Sequence, residues 1–162
     1  MADMPARNIS VGQWLPGPVA AKVVGHELGH AIDDLAGTIP TVGLNTELRS
    51  VYNDLNNPDL ALARKRNPNI DPNATGSPPK LRNHGPEMLG YRGDAVQREL
   101  VAEALRAYMG DPNYLKTVAP KTAVTVRAAI NSNPRLARTI QFNAGPAGPL
   151  GVGLFDDDTS DR

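Results

Sequence analysis

The chain has 162 residues, and its 17 basic side chains balance its 17 acidic ones, which leaves no formal net charge. This length is typical of one domain, and a neutral chain offers no basic field to attract nucleic acid or an anionic membrane. Because the sequence contains no cysteine, disulfides, thiol nucleophiles and cysteine-bound metals are excluded. Any metal ion would need histidine and carboxylate ligands.

The two ends of the chain differ in composition from its centre, although we interpret residues 1–162 as one domain. Residues from about 1 to 16 form an N-terminal extension, and residues from about 134 to 162 form a glycine- and proline-rich, acidic tail. The first residues contain no charged start followed by a long apolar run, so we expect no signal peptide in this chain. No apolar stretch approaches the roughly 18 residues of a membrane span, so we expect no membrane insertion.

The first part of the chain is predicted to form three helices and two short strands. One strand precedes the first helix, and the other follows it. Alternating apolar residues predict one strand within residues 5–16 and a second over residues 39–43. Between these strands, a Gly-Pro start and a glycine stop bound a helix of about five turns over residues 18–36. Two further helices are predicted over residues 45–55 and 58–66.

Residues 67–93 contain five prolines and four glycines, which predicts a long loop, either a border of a substrate groove or a surface excursion. A strongly periodic helix follows over residues 94–109. Shorter helices are predicted over residues 112–117 and 120–131, and a last strand over residues 139–142. Together these elements predict a predominantly helical α+β fold with a small β-sheet. The expected core includes Val19, Val23, Ala31, Leu35, Val96, Leu100 and Leu105.

The first long helix contains the string HELGH at residues 26–30, which is the H-E-x-x-H pattern. Residues four apart lie on the same helical face, so the imidazoles of His26 and His30 can both reach one Zn²⁺. Glu27 lies about 100° around the helix, where it can accept a proton from an attacking water and pass it to a leaving amine. This is the chemistry of zinc-dependent peptide hydrolysis. Gly29 is costly within a helix and predicts that another backbone or a ligand comes close.

A catalytic zinc ion needs a third protein ligand. Glu99 and Glu103 are four residues apart on the second long helix and can point together towards the first. Glu99 would bind the ion, and Glu103 could accept a hydrogen bond from the outer nitrogen of a histidine. The same spacing is equally typical of a solvated helix face. Asp33 and Asp34 are alternative ligands or hydrogen-bond acceptors, and His84 is the only other histidine.

Three strings in this order resemble the catalytic domain of the anthrax lethal factor family and the related metallopeptidase domains of bacterial polymorphic toxins. These strings are HELGHAIDDLAG at 26–37, ELVAEALR at 99–106 and APKT at 119–122. The resemblance covers roughly residues 20–130, apart from the middle loop, and implies a zincin-like metalloprotease fold with a gluzincin-type site. The implied Zn²⁺ ligands are His26, His30 and Glu99, with Glu27 as the base and Glu103 as the partner of a ligand histidine.

Members of this family also carry a tyrosine shortly before the glutamate ligand, and Tyr91 is the nearest match in this chain. From the residues alone, a tyrosine in the loop just ahead of the Glu99 helix could donate a hydrogen bond to the developing oxyanion. His84 and Arg92 are alternatives for the same role.

We therefore expect a zinc-dependent endopeptidase that acts on a protein or peptide substrate. The resemblance implies the catalytic toxin or effector domain of a secreted bacterial protein, delivered into a target cell as part of a larger effector. The partner that such a domain implies is a cognate immunity or inhibitor protein. Two alternatives stay open: a cytosolic regulatory zinc protease, and a non-catalytic zincin-like domain that binds a partner. The presence of Glu27 speaks against the second alternative, because a purely structural zinc site needs no base.

Overall fold

The structure, a computed structural model, describes residues 16–143. Over this range the chain forms seven α-helices and two 3-10 turns, Pro79–Leu81 and Pro86–Leu89. The helices are α1 (Gly17–Leu35), α2 (Asn45–Asn56), α3 (Pro58–Arg66), α4 (Asp94–Gly110), α5 (Pro112–Val118), α6 (Pro120–Ser132) and α7 (Pro134–Asn143). The six predicted helices are confirmed, with ends that differ by at most one residue. None of the helices in the described range is long and apolar enough to cross a membrane.

The predicted β-sheet is wrong, because no residue between 16 and 143 lies in a strand. The α+β, zincin-like fold with a small sheet is therefore corrected to a mainly helical one over the described residues. Residues 39–43 form a connection from α1 to α2, and the Asp33 carboxylate fixes its start by accepting the backbone N–H of Ile39 at 2.7 Å. The strand predicted within residues 5–16 lies outside the described residues.

The strand predicted over residues 139–142 is instead part of α7. Pro134 is its first residue, where a fixed φ and a missing N–H suit a helix start. The side chain of Asn133 accepts the backbone N–H two residues later at 3.0 Å. Leu136 and Ile140, four residues apart, are both buried, which is the spacing of one helical face. Four alternating residues are too few to distinguish a strand from a helix by periodicity.

The helix α4 lies at the centre of the described fold and packs against α1, α2, α5 and α6. Most of its length is buried, including Val96, Leu100 and Leu105, which were expected in the core. A helix that is apolar on most sides is one that neighbours surround. Val19 and Leu35 of α1 were also predicted to lie in the core. This prediction is wrong, because they are 44% and 49% exposed. The face that α1 buries against α4 therefore differs from its most apolar face.

The long loop, residues 67–93, contains no regular structure besides the two 3-10 turns, and α2 anchors it. The carboxamide of Asn53 donates to the backbone carbonyl of His84 at 2.8 Å and accepts its N–H at 2.6 Å. One helical turn later, Asn57 donates to the backbone carbonyl of Arg82 at 3.0 Å. Both asparagines are almost fully buried. The end of the loop is therefore fixed against α2 and is not a free surface excursion.

A second contact of α2 reaches the start of α6. The carboxylate of Glu47 accepts the backbone N–H of Thr122 at 2.7 Å and its hydroxyl at 2.9 Å. A carboxylate at a helix N-terminus satisfies N–H groups that lack partners within the helix and complements the helix dipole. The string at residues 119–122 thus lies at the junction of α5 and α6. Its contact with Glu47 joins α6 to α2.

Candidate metal centre

Two histidines of α1 share one face of the helix, as their spacing predicts. The side chains of His26 and His30 are 20% and 22% exposed, so both are partly buried and still reach solvent. Their Nε2 atoms lie 3.2 Å apart, and the two rings stand perpendicular with centroids 4.8 Å apart. Both imidazoles therefore turn the same nitrogen towards one point.

The helix α4 brings the carboxylate of Glu99 to that point. Its Oε2 lies 3.0 Å from His26 Nε2, and its Oε1 lies 3.3 Å from His30 Nε2. Ligand atoms about 2.0 to 2.1 Å from a tetrahedral ion are separated by about 3.3 Å. The 3.2 Å between the two Nε2 atoms is close to this value, and each nitrogen lies near a different oxygen of the Glu99 carboxylate. The three residues form a group that could hold a metal ion.

A glycine lets α1 and α4 approach closely enough for these contacts. A Cβ at Gly29 would lie 2.5 Å from the backbone oxygen of Ala102 and 2.9 Å from its Cα. Such distances are far shorter than ordinary contacts of about 3.5 Å between nonbonded atoms. The expectation that Gly29 marks a close backbone approach is confirmed, and the neighbouring backbone belongs to the helix that carries Glu99.

Glu103 orients His26 from behind. Its Oε1 lies 2.8 Å from His26 Nδ1, while its Oε2 accepts the Arg106 Nε–H at 2.9 Å. Burial alone would raise the pKa of Glu103, but the hydrogen bonds from His26 and Arg106 outweigh it and lower this pKa below its ordinary value. An ionised carboxylate is only an acceptor, so His26 donates through Nδ1. The Nε2 lone pair of a neutral His26 then faces the group formed with His30 and Glu99.

The same contact changes the proton affinity of His26 itself. The hydrogen bond to Glu103 raises the pKa of His26 above its usual value, against the opposite effect of burial, and the charges of Glu103 and Glu99 add to it. A cation beside Nε2 would compete directly with that proton. The donor set thus fits a cation: two imidazole nitrogens and one carboxylate converge, and a buried acid fixes the orientation of one imidazole.

Glu27, which follows His26 in α1, and Tyr91, which precedes α4, are both exposed. The carboxylate of Glu27 makes no hydrogen bond or ion pair with the described residues 16–143. Tyr91 is 37% exposed. The negative charge of Glu99 raises the pKa of Tyr91, and partial burial and the charge of Glu27 act in the same direction. These effects favour the protonated form of the Tyr91 phenol, which can donate a hydrogen bond.

The other residues considered from the sequence are engaged elsewhere. Asp33 is buried and holds the connection after α1, while Asp34 pairs with Arg98 at 2.7 Å. The backbone of His84 is bound by α2, and its side chain does not belong to the candidate group. Arg92 donates to the backbone carbonyls of Glu87 and Tyr91. These positions are not brought to the metal-binding point.

Sequence reasoning missed two residues near this group, Tyr52 and Arg106. Tyr52 lies on α2 and is only 7% exposed. The pKa of Tyr52 is raised, mainly by burial and then by the negative charges of Glu103 and Glu99. The phenol of Tyr52 is therefore within the electrostatic influence of both acids. Nothing in the local pattern of α2 distinguishes this tyrosine from a core residue. Arg106 had a signal, since it follows Glu103 by three residues on the same helix and such pairs lie side by side.

Three geometric features thus favour a metal centre. Three ligand side chains converge, the two helices approach closely, and a buried acid contacts one of the ligands from behind. Side chains from two helices, separated by more than sixty residues of sequence, supply these features. Comparison of the chain with protein-family models, with curated proteins and with solved structures found no match.

Proposed function

We propose that this protein is a zinc-dependent endopeptidase. The observation that supports it most strongly is the convergence of His26, His30 and Glu99 beside Glu27, which makes no ion pair with the described residues. Imidazole and carboxylate ligands suit Zn²⁺. When bound, Zn²⁺ polarises a carbonyl group and lowers the pKa of a water molecule towards neutrality.

The residues of the chain supply the other parts of the reaction. Glu27 accepts a proton from the attacking water and transfers it to the leaving amine, which is general base and then general acid catalysis. Tyr91, which keeps its proton because of the neighbouring carboxylates, donates a hydrogen bond to the oxygen on which charge develops. Glu103 holds His26 in the tautomer whose Nε2 faces the ligand group.

The roles of Glu27 and Glu99 are separated by two variants. Glu27→Gln should bind zinc as the wild type does and lose about 10²- to 10⁴-fold in the rate of casein cleavage. Glu99→Gln should instead lose zinc, measured by mass spectrometry of the metal content after dialysis. Asp34→Asn is the control, because it changes an acid of α1 that lies outside the ligand group. Zinc binding by the wild type without cleavage of any protein would contradict a peptidase.

We further propose that this peptidase is a toxin or effector domain delivered into a target cell. This part of the proposal rests on the resemblance of the strings at residues 26–37 and 99–106 to the anthrax lethal factor family. Its test is expression of the wild type and of Glu27→Gln in the cytosol of candidate host cells. Wild-type toxicity that Glu27→Gln lacks would support it. Equal growth of cells expressing either chain would contradict it.

A further inference from the structure

Two large apolar side chains stand in solvent just ahead of Tyr91 in the chain. They belong to the 3-10 turn Pro86–Leu89, which we call the apolar turn. Met88 is 69% exposed and Leu89 is 74% exposed. Single exposed apolar residues are common on protein surfaces, but here two lie next to each other, and Tyr91 follows two residues later. Met88, Leu89 and Tyr91 therefore form a short exposed stretch of large side chains ahead of α4.

The apolar turn is fixed on both sides. Glu87 forms an ion pair with Arg49 of α2, with 2.5 Å between Oε1 and Nη2. Arg92 donates from Nη1 to the carbonyl of Glu87 at 2.9 Å. The contacts of Asn53 with the backbone of His84 hold the chain that enters the turn. Met88 and Leu89 are therefore exposed by a braced backbone and not by a loose one.

The same backbone carries the turn to the ligand group. The N–H of Tyr91 points back to the carbonyl of Pro86 at 3.4 Å, and Gly90 adopts φ 94°, a conformation that few other residues tolerate. The apolar turn packs against α4, the helix that carries Glu99, and the charges of Glu99 and Glu27 act on the phenol of Tyr91, two residues after the turn. A chain bound across Glu27 and Tyr91 would therefore pass the apolar turn.

We propose that Met88 and Leu89 form one wall of a substrate subsite that receives a large apolar side chain near the scissile bond of an extended polypeptide. This inference rests on the proposed peptidase function. Burial of Met88 and Leu89 against such a side chain would remove apolar surface from water on both partners. Because the backbone of the turn is already held, little conformational freedom would be lost on binding. The expected substrate is an unfolded or extended segment with Leu, Ile, Met or Phe close to the cut.

The test compares a double variant of the apolar turn with a control variant elsewhere on the surface, and each substitution keeps the size of the side chain. Met88→Gln with Leu89→Asn removes the apolar wall and keeps the side-chain volumes, whereas Val124→Thr changes a residue of α6 that is 70% exposed and outside the group. Cleavage sites in casein, mapped by mass spectrometry, define the preferred position. Peptides with Leu or Asn at this position then give kcat/KM for each variant.

The wild type and Val124→Thr should prefer the Leu peptide by about 10- to 100-fold, the range for one apolar contact. The Met88→Gln, Leu89→Asn variant should lose most of this preference and keep its zinc content. Binding of the same peptides to Glu27→Gln, measured by fluorescence anisotropy with and without the two turn substitutions, should show the same difference without turnover. An unchanged preference in the turn variant would overturn this inference alone. Failure of the zinc-loaded wild type to cut any peptide would overturn the peptidase function and this inference together.

Discussion

Replacement of Gly29 by alanine tests whether close packing of α1 on α4 creates the candidate metal centre. The added methyl would lie 2.5 Å from the backbone oxygen of Ala102, whereas a C···O contact normally measures about 3.3 Å or more. The helices would have to separate by about 0.8 Å to restore such a contact. Ligand distances in a metal site tolerate about 0.2 Å, so His26 and His30 would move out of register with Glu99.

The effect on folding should be smaller than the effect on metal binding. Overpacking costs about 1 to 3 kcal/mol, while alanine gains about 1 kcal/mol over glycine within a helix. We therefore expect the metal-free Gly29→Ala protein to lose about 0 to 2 kcal/mol. Its zinc affinity should fall at least about 10-fold, the lower limit for disturbing the support of a ligand.

The assay combines two measurements on each protein: thermal unfolding without metal, followed by circular dichroism, and the zinc Kd from competition with a chromophoric chelator. Gly17→Ala is the matched control at the start of α1. A Cβ at Gly17 would meet nothing within 4 Å, so this variant should be at least as stable as the wild type. A Gly29→Ala protein with wild-type zinc affinity would refute the link between helix contact and ligand geometry.

Two further predictions concern the helical framework. Glu47→Ala should lower the free energy of unfolding by about 1 to 2 kcal/mol because the N-terminus of α6 loses its acceptor, and in a double-mutant cycle its effect should not add to that of Thr122→Val. Burial, with the charge and hydrogen bond of Asp54, raises the pKa of Tyr114; the unfolded chain loses this proton near pH 10 while the folded protein keeps it. Stability should therefore be complete below about pH 10 and decline above it, by up to about 1.4 kcal/mol per pH unit, and Tyr114→Phe should show a shallower decline in urea unfolding measured from pH 9 to 11.

The helices and the shared face of His26 and His30 could be predicted because their signals are local, whereas Glu99 was selected as the third ligand through the family resemblance. Prolines begin five of the seven helices within their first two residues, and the spacing of four between His26 and His30 fixes a common face. The strands predicted over residues 39–43 and 139–142 were wrong, because these segments are too short for their period to be measured. In the second case the helical start at Pro134 outweighs the alternation.

Contacts between distant segments were the other part that the sequence did not reveal. The positions of Tyr52 and of the apolar turn near Glu99 depend on how α2 packs against α4 and on how the long loop is held. Asn53 and Asn57 hold that loop through its backbone, and a backbone contact leaves no pattern in the residues of the loop. An asparagine within a helix is equally compatible with a solvated position.

The orientation of α1 shows why apolarity alone misplaced part of the core. Leu28 and Leu35 of α1 are 40% and 49% exposed, and they line an apolar cavity of about 470 Å³ together with α7 residues such as Ile140. The opposite face, with Gly29 and the histidines, packs against α4. A helix that maximised apolar burial would turn Leu28 and Leu35 inward and would carry His26 and His30 away from Glu99. The convergence of ligands therefore comes at the expense of apolar burial, which is what a site that binds an ion would require and what a purely structural helix pair would avoid.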